Sequence, residues 1–139
     1  MVEHKGEFFD IPAMVQNPAP PQPVPIAIGG ASRAALGRAG RLGDGWLGAG
    51  NSVEEAKDIL RTLSELREKA GRGDEPCENI VPLTEQATPE QMAELSSLGA
   101  HGSVNYPFVY TCGPDASLQQ KLDMMASFGE NVIAHMKDV

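Results

Sequence analysis

Short apolar runs closed by glycine alternate along this chain with longer segments whose apolar residues recur every three or four positions, the pattern of strands followed by helices. Pro25, Ile26, Ala27 and Ile28 form one such run and stop at Gly29-Gly30. A helix is expected from about Ser32 to Leu42, with Ala34, Ala35, Ala39 and Leu42 on its inner side and Gly43 ending it as a helix-terminating glycine does. Gly45-Trp46-Leu47 reads as the next strand and runs into a second glycine turn, Gly48-Ala49-Gly50. Ser52-Val53-Glu54-Glu55 has the form of a capping box, and Val53, Ala56, Ile59, Leu60, Leu63, Leu66 and Ala70 then keep helical spacing up to Gly71. Asn79 to Leu83 reads as a third strand. Thr88-Pro89-Glu90-Gln91 starts a helix with proline at its first position, buried through Met92, Leu95 and Leu98 and stopped at Gly99. Gly102 to Phe108 reads as a fourth strand and Thr111 to Asp115 as its loop. Ser117 opens the last helical stretch, with Leu118, Leu122, Met125, Val132, Ile133 and Met136 at core spacing and Phe128-Gly129 as a bend point.

Ahead of these units, Val2 to Ile11 alternates loosely around Gly6, which predicts a hairpin or arm with Phe8, Phe9 and Ile11 as its contacts. Residues Pro12 to Pro25 include six prolines, so an extended surface connector is expected there and not a sheet strand. Four strand-then-helix units in succession predict an α/β fold with parallel strands joined by right-handed crossovers.

The composition, 41% hydrophobic and 22% charged over 139 residues, is that of a globular domain and does not alter this picture. The charge does. A formal net charge of −8 repels nucleic acid and anionic membrane surfaces, so any phosphate must be held by local donors. No apolar run approaches the roughly 20 residues that cross a bilayer, and MVEHKGEFF lacks the apolar centre of a signal peptide, so a cytoplasmic location is expected. Cys77 and Cys112 are far apart in sequence with no histidine at metal spacing; reduced thiols, no disulfide and no metal are expected.

The candidate chemistry lies at the two glycine turns. Paired glycines leaving a strand let a bound group approach the backbone, and the first N–H groups of the next helix point at it, which suits a phosphate. The plain alternative is a tight turn required by geometry alone. Trp46 reads as a core residue and Asp44, between two glycines, as a turn former. His4, His101 and His135 have no carboxylate or nucleophile at readable spacing. Asn105-Tyr106 and Thr111-Cys112 sit near a strand exit without a chemistry of their own.

Three stretches together, GEFFDIPAM, NPAPPQPVPIAIGGASRAALGRAGRLGDGWLGAG and SVEEAKDILRTLSELREKAGR, resemble the later half of luciferase-like oxidoreductases. The resemblance implies a partial (β/α)8 TIM barrel: residues 1–24 as arm and proline-rich connector, and residues 25–139 as about four βα units forming the C-terminal part of the domain. It implies coenzyme F420 or, alternatively, FMN as cofactor, a small organic substrate, and hydride-transfer or monooxygenase chemistry in the intact enzyme. By position it assigns Gly29, Gly30, Ser32 and Arg33 to the phosphate end of the cofactor and no catalytic residue. A full barrel takes about 250 residues, so a chain of this size is expected to be a fragment of one, pairing as a homodimer or with a separate N-terminal half. The alternative is a non-catalytic half-barrel acting as an assembly or interaction module.

Overall fold

A computed structural model of the chain describes residues 1–15, 17–105, 108 and 111–136. Among the described residues these elements are ordered along the chain: β1 (Val2–Lys5), β2 (Asp10–Met14), β3 (Ala27–Gly29), α1 (Arg33–Leu42), β4 (Gly45–Leu47), α2 (Val53–Lys69), β5 (Glu78–Leu83), α3 (Pro89–Ser97), β6 (Ala100–Asn105) and α4 (Leu118–Asn131), followed by a 3-10 turn at Ile133–His135. β1 and β2 pair antiparallel around a turn in which the Gly6 N–H donates to the Phe9 carbonyl at 3.0 Å. Pro12 lies inside β2, so the connector begins later than the prolines suggest. Its missing donor is accommodated because the ladder shifts register opposite it, between Val2 and His4, and a two-stranded sheet consists only of edges.

The main sheet runs β3-β4-β5-β6, all parallel. Laying consecutive strands down in one direction with crossovers of a single hand puts the helices on one face. In register, Ile28, Trp46, Asn79 and Ala100 line up on the helix side, while Gly29, Leu47, Ile80 and Gly102 line up on the other. The first face is closed: Trp46 and Val81 are fully buried against Leu36, Ala39, Val53, Ala56, Leu60, Leu63 and Leu95. The second face is partly open: Leu47 is 44% and Val104 42% exposed, while Pro82 is buried. This is the layering of part of a TIM barrel, helices outside and an inner face still partly uncovered.

Helix α2 explains most of the core. Its capping box is complete, with Ser52 Oγ accepting from the Glu55 N–H at 3.3 Å and the Glu55 carboxylate accepting from the Ser52 N–H at 2.9 Å. Its buried stripe also holds two cations that periodicity hid. Lys57 threads its stem through the apolar layer and pairs with Glu54 at 2.8 Å and with Glu94 of α3 at 2.6 Å. Arg67 donates to the carbonyls of Gly43 (3.1 Å), Glu75 (3.0 Å) and Pro76 (3.3 Å). Helix α1 lies close on α2 because Gly40 has no side chain; a Cβ there would stand 2.8 Å from the Leu66 Cβ.

Several local expectations change. The buried side of α1 is Ala35, Leu36, Ala39 and Gly40, with Ala34 and Leu42 exposed, because the contact with α2 at Gly40 sets the rotation of the helix. Gly43 caps α1 in an extended conformation (φ −86°, ψ 148°), not a left-handed one. It leads straight into β4 and its N–H donates to Ala39 O at 3.0 Å. Ala70 is exposed. β6 starts at Ala100 and ends at Asn105, short of the expected Phe108, which is helical; Tyr106 and Pro107 of the expected strand lie outside the described residues. α4 runs through Gly129 without dividing, and its apolar positions do not form a core: Leu118 is 73% exposed and Met125 56%, with Val132 alone of the expected set buried.

Candidate functional site

Strands in a parallel sheet deliver ligand-binding loops at their C-terminal ends, and there the two glycine turns stand side by side, since Gly29 pairs with Leu47. After Gly29 the chain turns through Gly30 at φ +97°, a conformation open to glycine and strained for other residues. Ser32 follows in extended geometry as the N-cap of α1. Its Oγ accepts from the Ala35 N–H at 3.2 Å and its carbonyl from the Leu36 N–H at 2.9 Å. The amides of Arg33 and Ala34 are left with no intrahelical acceptor. The first turn holds no acidic residue, and Ala31 through Ala34 are exposed. Among the described residues a Cβ built on Gly29 meets only the Leu47 carbonyl oxygen, at 3.6 Å, so there is room beside the backbone at Gly29. Arg33 lies at the rim and, among the described residues, is in no salt bridge.

Thus all four residues assigned from sequence, Gly29, Gly30, Ser32 and Arg33, belong to one corner. Sequence reasoning missed the residue beneath it. Trp46, fully buried, donates its indole Nε1–H to the Gly30 carbonyl at 2.9 Å. The ring also supports the second turn: a Cβ on Gly48 would come within 2.8 Å of Trp46 Cη2. Beyond Gly48, Asn51 bridges to Leu83, and its Oδ1 is buried with no hydrogen-bond partner among the described residues.

The neighbouring helix N-terminus is closed. The Val53 N–H of α2 donates to Glu85 Oε1 at 2.7 Å, the Ser52 N–H to Glu55, and Glu54 adds a further carboxylate in the first turn. Lys57 beside it holds the Glu54 carboxyl below its ordinary range by hydrogen bond and charge.

The opposite end of the sheet holds the other polar cluster. Asp44 accepts from the Ile26 N–H at 2.9 Å and stands 3.4 Å from Arg72, which also binds Glu75 at 2.6 Å and the Gly43 carbonyl at 2.9 Å. These groups tie the starts of β3, β4 and β5 together, so Asp44 is a structural staple. A cavity of about 550 Å³ opens there between Pro23–Pro25 and Cys77-Glu78, with His101 on its wall. It faces the strand starts, the end that serves stability in barrels of this kind. Burial pushes the Cys77 thiol up in pKa against the pull of Arg67 and Arg72, leaving it protonated near neutrality and a poor nucleophile. His101 Nδ1 lies 3.0 Å from the Gly99 carbonyl oxygen, a local contact. Thr111 and Cys112 contact α4, through Met124 Sδ at 3.3 Å and the Gln120 carbonyl at 3.9 Å. Among the described residues no cluster of metal-ligating side chains forms, and no helix is long and apolar enough to cross a membrane.

In sequence and in fold the chain is similar to known proteins. The family model described as luciferase-like monooxygenase matches residues 1–108. Uncharacterized proteins of Mycobacterium bovis and Mycobacterium tuberculosis are 40% identical over 134 residues, covering 95% of this chain and 46% of their own length. The chain therefore spans about half the length of the curated relatives it matches. A solved structure, the coenzyme F420 dependent tetrahydromethanopterin reductase of Methanopyrus kandleri, superposes with a TM-score of 0.53 at 13% identity, over 82% of this chain and 51% of that one. At that identity the likeness is one of fold.

Proposed function

Because this chain belongs to the luciferase-like monooxygenase family, we propose that it is the C-terminal half of a barrel oxidoreductase and that it holds the phosphate end of a deazaflavin or flavin cofactor. Coenzyme F420 is the first choice, since the solved neighbour of the same fold is named for its dependence on it; FMN is the alternative. The observation that carries the reading is the open corner from Gly29 to Ala34. It offers backbone donors at a helix N-terminus, a first turn without a carboxylate, room at Gly29 and an exposed cation at Arg33. That donor set fits a phosphate and, lacking an apolar platform, does not fit an isoalloxazine or deazaflavin ring. Ring and substrate therefore belong to the side of the barrel that this chain leaves open.

Bound at this corner, the cofactor supplies hydride-transfer or oxygen chemistry, and this chain anchors and orients it. Gly29 admits the phosphate to the backbone, Gly30 turns the chain, Ser32 fixes the first turn of α1 and Arg33 adds charge. Titrating coenzyme F420 and FMN separately into the protein, followed by cofactor fluorescence, tests the reading. Saturable binding that is weakened by inorganic phosphate is expected, and no saturable binding of either cofactor overturns it.

A second reading rests on the uncovered sheet face. Leu47 and Val104 are exposed where a barrel interior would be packed, and β3 and β6 each end the sheet on one side. On that reading the chain is an assembly module whose inner face is covered by a second copy or by a separate N-terminal half. Light scattering of the purified chain distinguishes a dimer from a monomer, and a dimer that binds neither cofactor would favour this second reading.

A further inference from the structure

Resting on the phosphate-corner reading, we propose that Trp46 is a positioning residue of the cofactor site: by holding the Gly30 carbonyl inward it turns the Ala31 N–H outward into the set of anion donors. The argument is one of peptide geometry. In a trans peptide the carbonyl of one residue and the N–H of the next point in opposite directions across a rigid plane. The peptide from Gly30 to Ala31 is trans. Its carbonyl oxygen accepts from the Trp46 indole at 2.9 Å, on the buried side of the turn. The Ala31 N–H is thereby aimed at the exposed side, where it joins the amides of Arg33 and Ala34, which have no intrahelical acceptor. The positive φ of Gly30 gives the chain the turn needed to present this plane.

Without the indole donor, the Gly30 carbonyl would lack a partner inside the fold and could rotate toward solvent. That rotation would put an oxygen lone pair in place of an N–H at the anion position, exchanging attraction for repulsion. The same ring abuts Gly48 of the adjacent turn, so Trp46 fixes the spacing of both glycine exits. A buried tryptophan needs a partner for its N–H. Here the partner is the carbonyl whose orientation decides what the corner can bind.

Trp46→Phe keeps an aromatic ring in the core and removes the donor. Coenzyme F420 affinity is expected to fall about tenfold in this variant. Leu63→Ala, which removes buried core away from the corner, calibrates the effect of lost stability and is expected to leave affinity within twofold. Trp46 is also the chain's single tryptophan, so its indole N–H gives one resolved proton–nitrogen signal. In the unaltered protein that signal is expected to exchange slowly with solvent and to shift saturably as cofactor is added. Unchanged affinity in Trp46→Phe, with the unaltered protein binding normally, overturns the inference and leaves the site standing. Failure of the unaltered protein to bind overturns both. Where Trp46→Phe does not fold, the indole signal decides: rapid exchange, or no response to saturating cofactor, overturns the inference.

Discussion

The N-termini of α1 and α2 stand on neighbouring strands at the same end of the sheet, and both begin with a serine cap. Around α2 every device for satisfying a positive helix end is present: Glu55 closes the capping box, Glu85 takes the Val53 N–H, and Glu54 occupies the first turn. Around α1 the serine acts alone, the first turn has no carboxylate, and its first residue is Arg33. A cation at that position opposes the helix dipole by about 0.3–1 kcal/mol. The α2 end is optimised for stability. The α1 end forgoes that stability, and an anion supplied from outside would restore it. The comparison teaches that a helix N-terminus becomes informative through what its neighbours leave undone.

The largest break in this contrast should come from Gly30→Val. A β-branched side chain at φ +97°, with a Cβ 3.2 Å from the Ala35 Cβ, is strained. A stability loss of about 1–3 kcal/mol is expected, together with loss of measurable cofactor binding, read by chemical denaturation and fluorescence titration. Next, Ala34→Glu gives α1 the exposed first-turn carboxylate that α2 already has. Stability should rise by about 0.3–1 kcal/mol while cofactor affinity drops roughly tenfold, a factor equal to about 1.4 kcal/mol. A parallel fall in both quantities would mean that the corner is only structural. Glu85→Gln sharpens the contrast from the other side: a loss of about 0.3–1 kcal/mol of stability with cofactor affinity unchanged.

The smallest effect concerns acid. Glu54 is held below its ordinary pKa of 4.5 by the Lys57 hydrogen bond and charge, and Glu90, in the first turn of α3, by its own backbone N–H and the Thr88 side chain. A carboxyl whose folded pKa is depressed contributes stability that is present above its unfolded pKa and is lost as pH falls through the folded value. The melting temperature should therefore hold from pH 7 to about 5 and decline below 4.5. An equal decline beginning near pH 6 would contradict this origin.

Much of the fold was legible because its signals are local. The four βα units, the boxes at Ser52 and Thr88, and the glycine stops are each written within a few residues. What escaped depended on contacts between elements. The rotation of α1 follows from the close approach of Gly40 to Leu66, which a run of alanines and glycines does not encode. Lys57 and Arg67 look like surface cations in the sequence, and their burial requires Glu94 on another helix and carbonyls from a distant loop. The exposed apolar positions of α4 keep perfect helical spacing, because periodicity records which face is apolar and not what covers it. At the candidate site, the turn at the glycine pair and the Ser32 cap were readable from the strand-turn-helix order. The bond from Trp46 to Gly30 spans 16 residues and joins an indole to a main-chain carbonyl, a pairing that leaves no mark in spacing.

The most direct measurement is a titration of inorganic phosphate into the isotopically labelled protein, followed by amide proton and nitrogen shifts. Saturable shifts at Ala31, Arg33 and Ala34, with none at Val53 to Glu55, are the predicted result. Equal responses at the two helix ends, or shifts confined to the cavity near Asp44 and Cys77, would contradict the account.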